Sequence, residues 1–310
     1  MKKLKKLLVM LMVMTLALGL IGCGKKDANN GSETGNNTTL TYPIEVQDTD
    51  GNTITIESEP QKVVSVAPNL TELMYKLGLG EKLVGRSDYC DYPEEVKSLP
   101  TVGSLYTPNI ESIIALEPDL VLISTHFTEE NQKQLEDLGI KVLSLYDANN
   151  IEGAYTMIET IAKAFNVVGV GNEVVQSMKD TFADIAAKTK DLDHKSVYYV
   201  VGYGEGGDFT ATGDTFINTL IELAGGDNIA KDGTDWSYSK ESLLEADPDV
   251  IIVRQGEAEA FKTADQYKEL TACKEGRVYE MNTNLFDRQG YRNAEGVKEL
   301  ATILYPDVVK

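Results

Sequence analysis

The sequence predicts an α/β protein of two lobes with mostly parallel sheets, joined by one long helix and leaving a ligand cleft between the lobes. Three observations carry this. One phrase is written twice: residues 111–123 read ESIIALEPDLVLI and residues 241–253 read ESLLEADPDVIIV, 130 residues apart. Glu111/Glu241, Ser112/Ser242, Pro118/Pro248 and Asp119/Asp249 coincide, and self-similarity at so long a period marks duplicated architecture. Short apolar strands also alternate with helical stretches in both halves, the pattern of parallel α/β layers. Finally, residues 172–190 are the longest uninterrupted helical candidate, and they fall where one half must pass to the other.

The chain opens with Lys2, Lys3, Lys5 and Lys6, then LLVMLMVMTLALGLIG, then a small residue before Cys23. A basic start, a short apolar core and LIGC at 20–23 make a secretory signal over 1–22, too short in its apolar run for a spanning helix. It resembles the lipobox of bacterial lipoproteins, which implies lipid modification of Cys23. Residues 23–41, rich in Asn, Gly, Ser and Thr, have little to bury and read as a flexible tether. Setting aside the four leading lysines takes the net charge from −20 to about −24. So acidic a chain is unsuited to nucleic acid or to anionic lipid headgroups.

The folded part follows in order. PIEVQDTDGNTITIE alternates apolar and polar residues around a DTDGN turn, a hairpin. KVVSVA (62–67) is a strand, and Leu70, Leu73, Met74 and Leu77 after it share one helical face. KLVG (82–85), LVLIS (120–124) and KVLSL (141–145) are further strands. From Ile151 to about Asp191 the pattern is helical, with a break near Gly169–Gly171. VYYVVG (197–202), VIIV (250–253) and RVYEM (277–281) resume the strands, and NAEGVKELATILYP closes as a helix. The lobes are thus 42–170 and 193–310, with a connecting helix at 171–192. A helical joint is stiff and implies modest closure. Cys90 and Cys273 fall in different lobes; a disulfide would tie the lobes together, and two unpaired, partly buried thiols are the expectation.

Catalytic patterns are missing. His126 and His194 have no partner at ligand spacing, and GxSxG, HExxH, CxxC and complete P-loop motifs do not occur. GYGEGG (202–207) follows a strand, but Asp208-Phe209 stand after it where a phosphate loop carries Lys-Ser/Thr, and it reads as a loop lining a cleft. A bare transition metal wants several imidazoles or thiolates, which this chain cannot supply, so any metal arrives inside an organic chelate. The expectation is a binding protein, not an enzyme, with no cofactor of its own. In the repeat, Asn109 and Ser239 are suited to helix N-caps, which puts Glu111 and Glu241 in first turns, where the helix dipole already favours a carboxylate. One exposed carboxylate per lobe also makes a two-point acidic surface for a two-fold partner presenting arginines.

VVSVAPNLTELMYKLGLGEKLVG, SDYCDYPEEVKSLPTVGS, NIESIIALEPDLVLI, FINTLIELAGGDNIA and SKESLLEADPDVIIV together resemble the substrate-binding proteins of ABC importers for iron chelates and vitamin B12. The resemblance runs from Lys62 to Tyr305 and places such a domain over 62–310. It implies Rossmann-like lobes, capture of a chelated-metal small molecule, and delivery to an ABC permease dimer with its ATPase subunits. It further implies a monomer held on the extracytoplasmic face by its lipid alone. Glutamates matching Glu111 and Glu241 dock on permease arginines in that family. The B12-binding branch is nearest: Tyr89, Phe209 and Trp236 match its cleft aromatics, whereas Leu105, beside Tyr106, stands where it carries a tryptophan. Ligand loops lie beyond the carboxyl ends of the strands. That nominates Pro68-Asn69, Arg86–Tyr89, Leu105-Tyr106, Ser124–Phe127, Tyr203, Phe209, Trp236, Arg254 and 284–292. The site set is Tyr89, Tyr106, Phe209, Trp236, Arg254, Arg288 and Arg292. Aromatic side chains suit a corrin; the arginines suit a ferric siderophore or haem. Salt-bridging within the C-terminal lobe accounts for Arg288 and Arg292 equally well. Tyr198 and Tyr199 read as core.

Overall fold

A computed structural model of the chain describes residues 39–146, 150–204 and 207–310. The expected signal peptide (1–22), Cys23 and the tether as far as residue 38 lie outside the described residues.

The first lobe runs β1 (Ile44–Gln47), β2 (Thr53–Ile56), β3 (Val63–Ser65), α1 (Pro68–Lys76), β4 (Leu83–Arg86), α2 (Ile110–Ala115), β5 (Leu120–Ile123), α3 (Glu129–Asp137), β6 (Lys141–Ser144) and α4 (Ile151–Ala164). Next comes α5 (Val168–Thr189). The second lobe holds β7 (Lys195–Gly202), β8 (Phe209–Thr210), α6 (Phe216–Leu223), β9 (Gly226–Asn228), α7 (Lys240–Ala246) and β10 (Val250–Arg254). It ends with α8 (Ala258–Thr263), α9 (Thr271–Lys274), β11 (Val278–Met281), α10 (Asn284–Asp287) and α11 (Asn293–Leu304).

β1 and β2 pair antiparallel around the DTDGN turn. The main sheet of the first lobe is parallel in the order β4-β3-β5-β6. In the second, β9, β7, β10 and β11 pair parallel in that order, with β8 antiparallel to the end of β7. Each sheet therefore runs second, first, third, fourth in its own strand order, so the doubled phrase is matched by doubled topology. The central strands β3, β5, β7 and β10 are largely apolar and buried, as expected where helices cover both faces.

Hydrogen bonds account for the phrase itself. Asn109 Oδ1 accepts from the Ser112 N–H at 3.0 Å, and Ser239 Oγ accepts from the Ser242 N–H at 3.0 Å, capping α2 and α7. Each helix then ends at an acidic residue in the left-handed region, Glu117 (φ 50°) and Asp247 (φ 39°), with proline next to prevent continuation. Asp119 accepts from the N–H groups of Gln61 (2.8 Å) and Lys62 (3.2 Å); Asp249 accepts from the Ser196 N–H and hydroxyl, both at 2.9 Å. In each lobe this carboxylate fastens the third strand to the start of the first.

The joint differs from the sequence reading in register. The helix begins at Val168, and the break falls at 165–167, where Asn166 (φ 57°) exchanges two hydrogen bonds with the Leu40 backbone (2.6 and 2.9 Å). Gly171 lies inside α5 because α4 and α5 cross closely there: a Cβ would stand 2.4 Å from that of Ala162. At 1.5 Å per residue, α5 is about 33 Å long. Its Val174, Met178, Phe182 and Ile185 belong to one buried cluster that also takes in Val63 of β3, Val197 of β7 and Leu300 of α11. The core is thus continuous through the joint.

Candidate functional site

The carboxyl ends of both sheets open on one cavity of about 600 Å³, within the usual range for a small-molecule site. In a sheet of this order the first and third strands lie side by side while the connections that leave them run in opposite directions, and ligands sit at that switch point. Ala67–Asn69 leave β3 on one side of it and Ser124–His126 leave β5 on the other, all lining the cavity. Tyr89, Leu105, Tyr106 and Tyr146 complete the wall of the first lobe. Facing them are Phe216, Trp236, Arg254, Asn284 and Asp287–Gln289.

Five of the seven expected ligand residues meet here: Tyr89, Tyr106, Trp236, Arg254 and Arg288. Tyr89 and Tyr106 meet edge to face with ring centroids 5.9 Å apart, and the Tyr106 ring lies 4.8 Å from that of His126. Both tyrosines are about half exposed, which is costly for such rings unless something covers them. His126 (φ 75°) and Trp236 (φ 60°), one per lobe, hold left-handed backbone conformations that a Cβ disfavours. Strain of this kind collects at ligand sites, where the surroundings enforce it. Around Trp236, the Thr210 N–H donates to its carbonyl (2.9 Å) and its own N–H donates to Thr212 Oγ1 (3.1 Å).

The cations divide by how firmly they are held. Arg254 is more than half exposed, with Asp287 at 3.8 Å and Thr283 Oγ1 at 3.4 Å. Arg288 is tightly engaged, donating to Glu72 Oε1 at 2.6 Å and Asp91 Oδ1 at 2.7 Å. Arg292 is outside the lining: it is buried, reaches Glu72 Oε2 at 3.4 Å and Glu295 at 3.6 Å, and its guanidinium sits 3.9 Å over the Tyr92 ring. Both arginines therefore share Glu72 of the opposite lobe; the salt-bridging within the C-terminal lobe that the sequence suggested is present for Arg292, through Glu295, whereas the ion pairs of Arg288 with Glu72 and Asp91 cross to the first lobe. Burial pushes the Glu72 carboxyl above the usual carboxylate range, and the two guanidinium groups pull it back.

Phe209 is exposed in β8 and is outside the lining. Tyr203 packs on Phe261 and Tyr267, and Arg86 donates to the carbonyls of Val96 and Ser87; both are structural. Tyr198 and Tyr199 are buried in the core. The sequence reading missed Tyr146 and Phe216. Tyr146 follows β6, so the strand-end rule applied to that strand would have found it; Phe216 begins a helix and carries no such signal. Glu111 and Glu241 are exposed in the first turns of α2 and α7.

Cys90 and Cys273 are unpaired and buried. Among the described residues no group of three or more His, Cys, Asp or Glu side chains converges to hold a metal ion, and no helix is long and apolar enough to cross a membrane.

Residues 63–285 match the periplasmic binding protein family. An uncharacterized ABC transporter substrate-binding lipoprotein of Bacillus subtilis, YvrC, is 37% identical over 303 residues, covering 95% of each chain. A cobalamin-binding protein of Halobacterium salinarum is 30% identical over 279 residues, covering 85% of this chain and 74% of that one. Among solved structures, the periplasmic heme-binding protein RhuT of Roseiflexus superposes with a TM-score of 0.73 at 22% identity, over 81% of this chain and 99% of that one, a likeness of fold.

Proposed function

Because this chain belongs to the periplasmic binding protein family, in which its relatives are ABC-transporter substrate-binding proteins and not enzymes, we propose that its cleft captures a corrinoid of the vitamin B12 type. The observation that carries this is the placing of exposed aromatic rings from both lobes, Tyr89 and Tyr106 against Trp236, around one cavity. Such walls suit a broad, flat, partly apolar ring system. The relative named as cobalamin-binding supports the same ligand class.

Titration with cyanocobalamin tests it. Trp236 is the only tryptophan, so its fluorescence reports the cavity, and calorimetry gives the affinity independently. Saturable quenching with matching heat is expected. The second reading, a ferric siderophore or haem, is favoured by Arg254, a loosely held cation at the cavity wall suited to carboxylates or catecholates. A ferric siderophore and haemin therefore form the comparison panel. A folded protein that responds to none of the three refutes the chelate reading altogether.

Delivery follows from the same proposal. The chain acts as a monomer with no cofactor of its own, any metal arriving within the ligand. A lipid on Cys23 holds it at the extracytoplasmic face of the membrane. Glu111 and Glu241 dock on a permease dimer whose ATPase subunits drive release.

A further inference from the structure

One stretch of the second lobe gives all four of its side chains to the first. Between α10 and α11, residues 288–292 read RQGYR. Arg288 donates to Glu72 and Asp91 and, at 3.3 Å, to the Tyr89 carbonyl. Gln289 donates to the Asn150 carbonyl at 2.7 Å, and its own carbonyl accepts from Asn69 Nδ2 at 3.0 Å. The ammonium of Lys76 lies 5.3 Å from the centre of the Tyr291 ring, and Arg292 closes on Glu72 and Tyr92.

Glu72 is the common point. It is 3% exposed on α1, one turn beyond Asn69, and each of its oxygens faces a different arginine of the stretch. Without this shared buried carboxylate, Arg288 keeps only the half-exposed Asp91 as an ion-pair partner and Arg292 only Glu295 at 3.6 Å, so both buried cations are drawn toward water. Arg288 and Gln289 also line the cavity, so the stretch forms both the inter-lobe contact and the cavity floor.

We propose that residues 288–292 are a latch that sets the separation of the lobes at the cavity floor, and that Glu72 is the positioning residue that holds it shut. This rests on the cleft being the ligand site and is independent of which ligand fills it.

The test is acrylamide quenching of Trp236 in the ligand-free full mature chain carrying Glu72→Gln, with Arg288→Met in parallel. The ring now shows 37% of its surface. Release of the floor should raise the quenching constant about twofold, with faster amide exchange confined to 69–76 and 288–292. A Glu72 that merely supports the fold would lower the melting temperature and leave quenching and exchange unchanged well below the transition; that result overturns the proposal. If Glu72→Gln does not fold, Asp91→Asn removes the half-exposed partner of Arg288 instead, and a smaller rise in quenching is expected. Unchanged quenching in that variant and in Arg288→Met overturns the proposal equally. Because no ligand is present, a wrong ligand assignment leaves this measurement untouched.

Discussion

Replacing Trp236 by Ala and, separately, by Gly divides what the ring does from what its backbone costs. The ring lines the cavity and is 37% exposed. A tryptophan offers roughly 250 Å² of surface, so about 90 Å² is open for a ligand to cover. At about 25 cal/mol per Å², covering all of it contributes about 2 kcal/mol, or about thirtyfold in affinity. The backbone is a separate quantity. A φ of 60° costs a residue with a Cβ roughly 1–2 kcal/mol, which glycine escapes. Both variants should therefore lose the same affinity for cyanocobalamin, measured by calorimetry. Unfolding should nevertheless show the Gly variant more stable than the Ala variant by about 1 kcal/mol, once the greater chain entropy of glycine is allowed for. In a folded part of this size that difference is about 2 °C in Tm. An affinity within about threefold of the parent, well under 1 kcal/mol, refutes the ring as a ligand wall. An Ala variant as stable as the Gly variant refutes the backbone strain.

Other outcomes follow from the packing and the repeat. Gly171→Ala should destabilise by about 1–3 kcal/mol through the clash with Ala162, although helix propensity alone would favour Ala by about 1 kcal/mol; adding Ala162→Gly should restore the thermal midpoint. Asn109→Ala and Ser239→Ala should each cost about 1 kcal/mol of stability by removing an N-cap. By contrast, Glu111→Ala with Glu241→Ala should abolish uptake in cells while leaving calorimetric affinity intact, and a loss of affinity would return both glutamates to a purely helical role. Hydrogen bonds from Ser196 hold the Asp249 carboxyl below the usual carboxylate range, so its ionised form is favoured by folding. That stabilisation is complete above about pH 3.9 and is lost as pH falls through the depressed value. The stability gap between the parent and Asp249→Asn should accordingly close on acidification, and a widening gap contradicts the assignment.

Much of the fold was legible because buried parallel strands are written in β-branched and aliphatic runs: VVS, LVLI and VIIVR coincide with β3, β5 and β10. The short β8 and β9 read FT and GDN, with no pattern of their own; pairing with β7 alone makes them strands. The helix break was misplaced because glycine disfavours a helix locally, while the approach of Ala162 that requires Gly171 is tertiary. For the site, the strand-end rule found the cavity but not its depth. It gave no means of telling Arg254, which stays at the wall, from Arg292, whose partner Glu72 lies 220 residues earlier and in the other lobe.

The doubled phrase and the latch bear on one quantity. Within each lobe the glutamate is fixed by local bonds: a capped helix holds it, and Asp119 or Asp249 fastens the strand after that helix to its neighbour. Neither Glu111 nor Glu241 can then move far relative to its own sheet. Their mutual spacing depends on the angle between the lobes, and the contacts of residues 288–292 with the first lobe, those of Arg288 and Arg292 with Glu72 among them, bear on that angle. A ligand held between Tyr106 and Trp236 would act on the same angle from the other side of the floor. A permease that recognises the two carboxylates by their separation would thereby sense an occupied cleft without touching the ligand. It follows that Glu72→Gln should impair docking even when saturating ligand restores full occupancy, which a defect in affinity alone would not do.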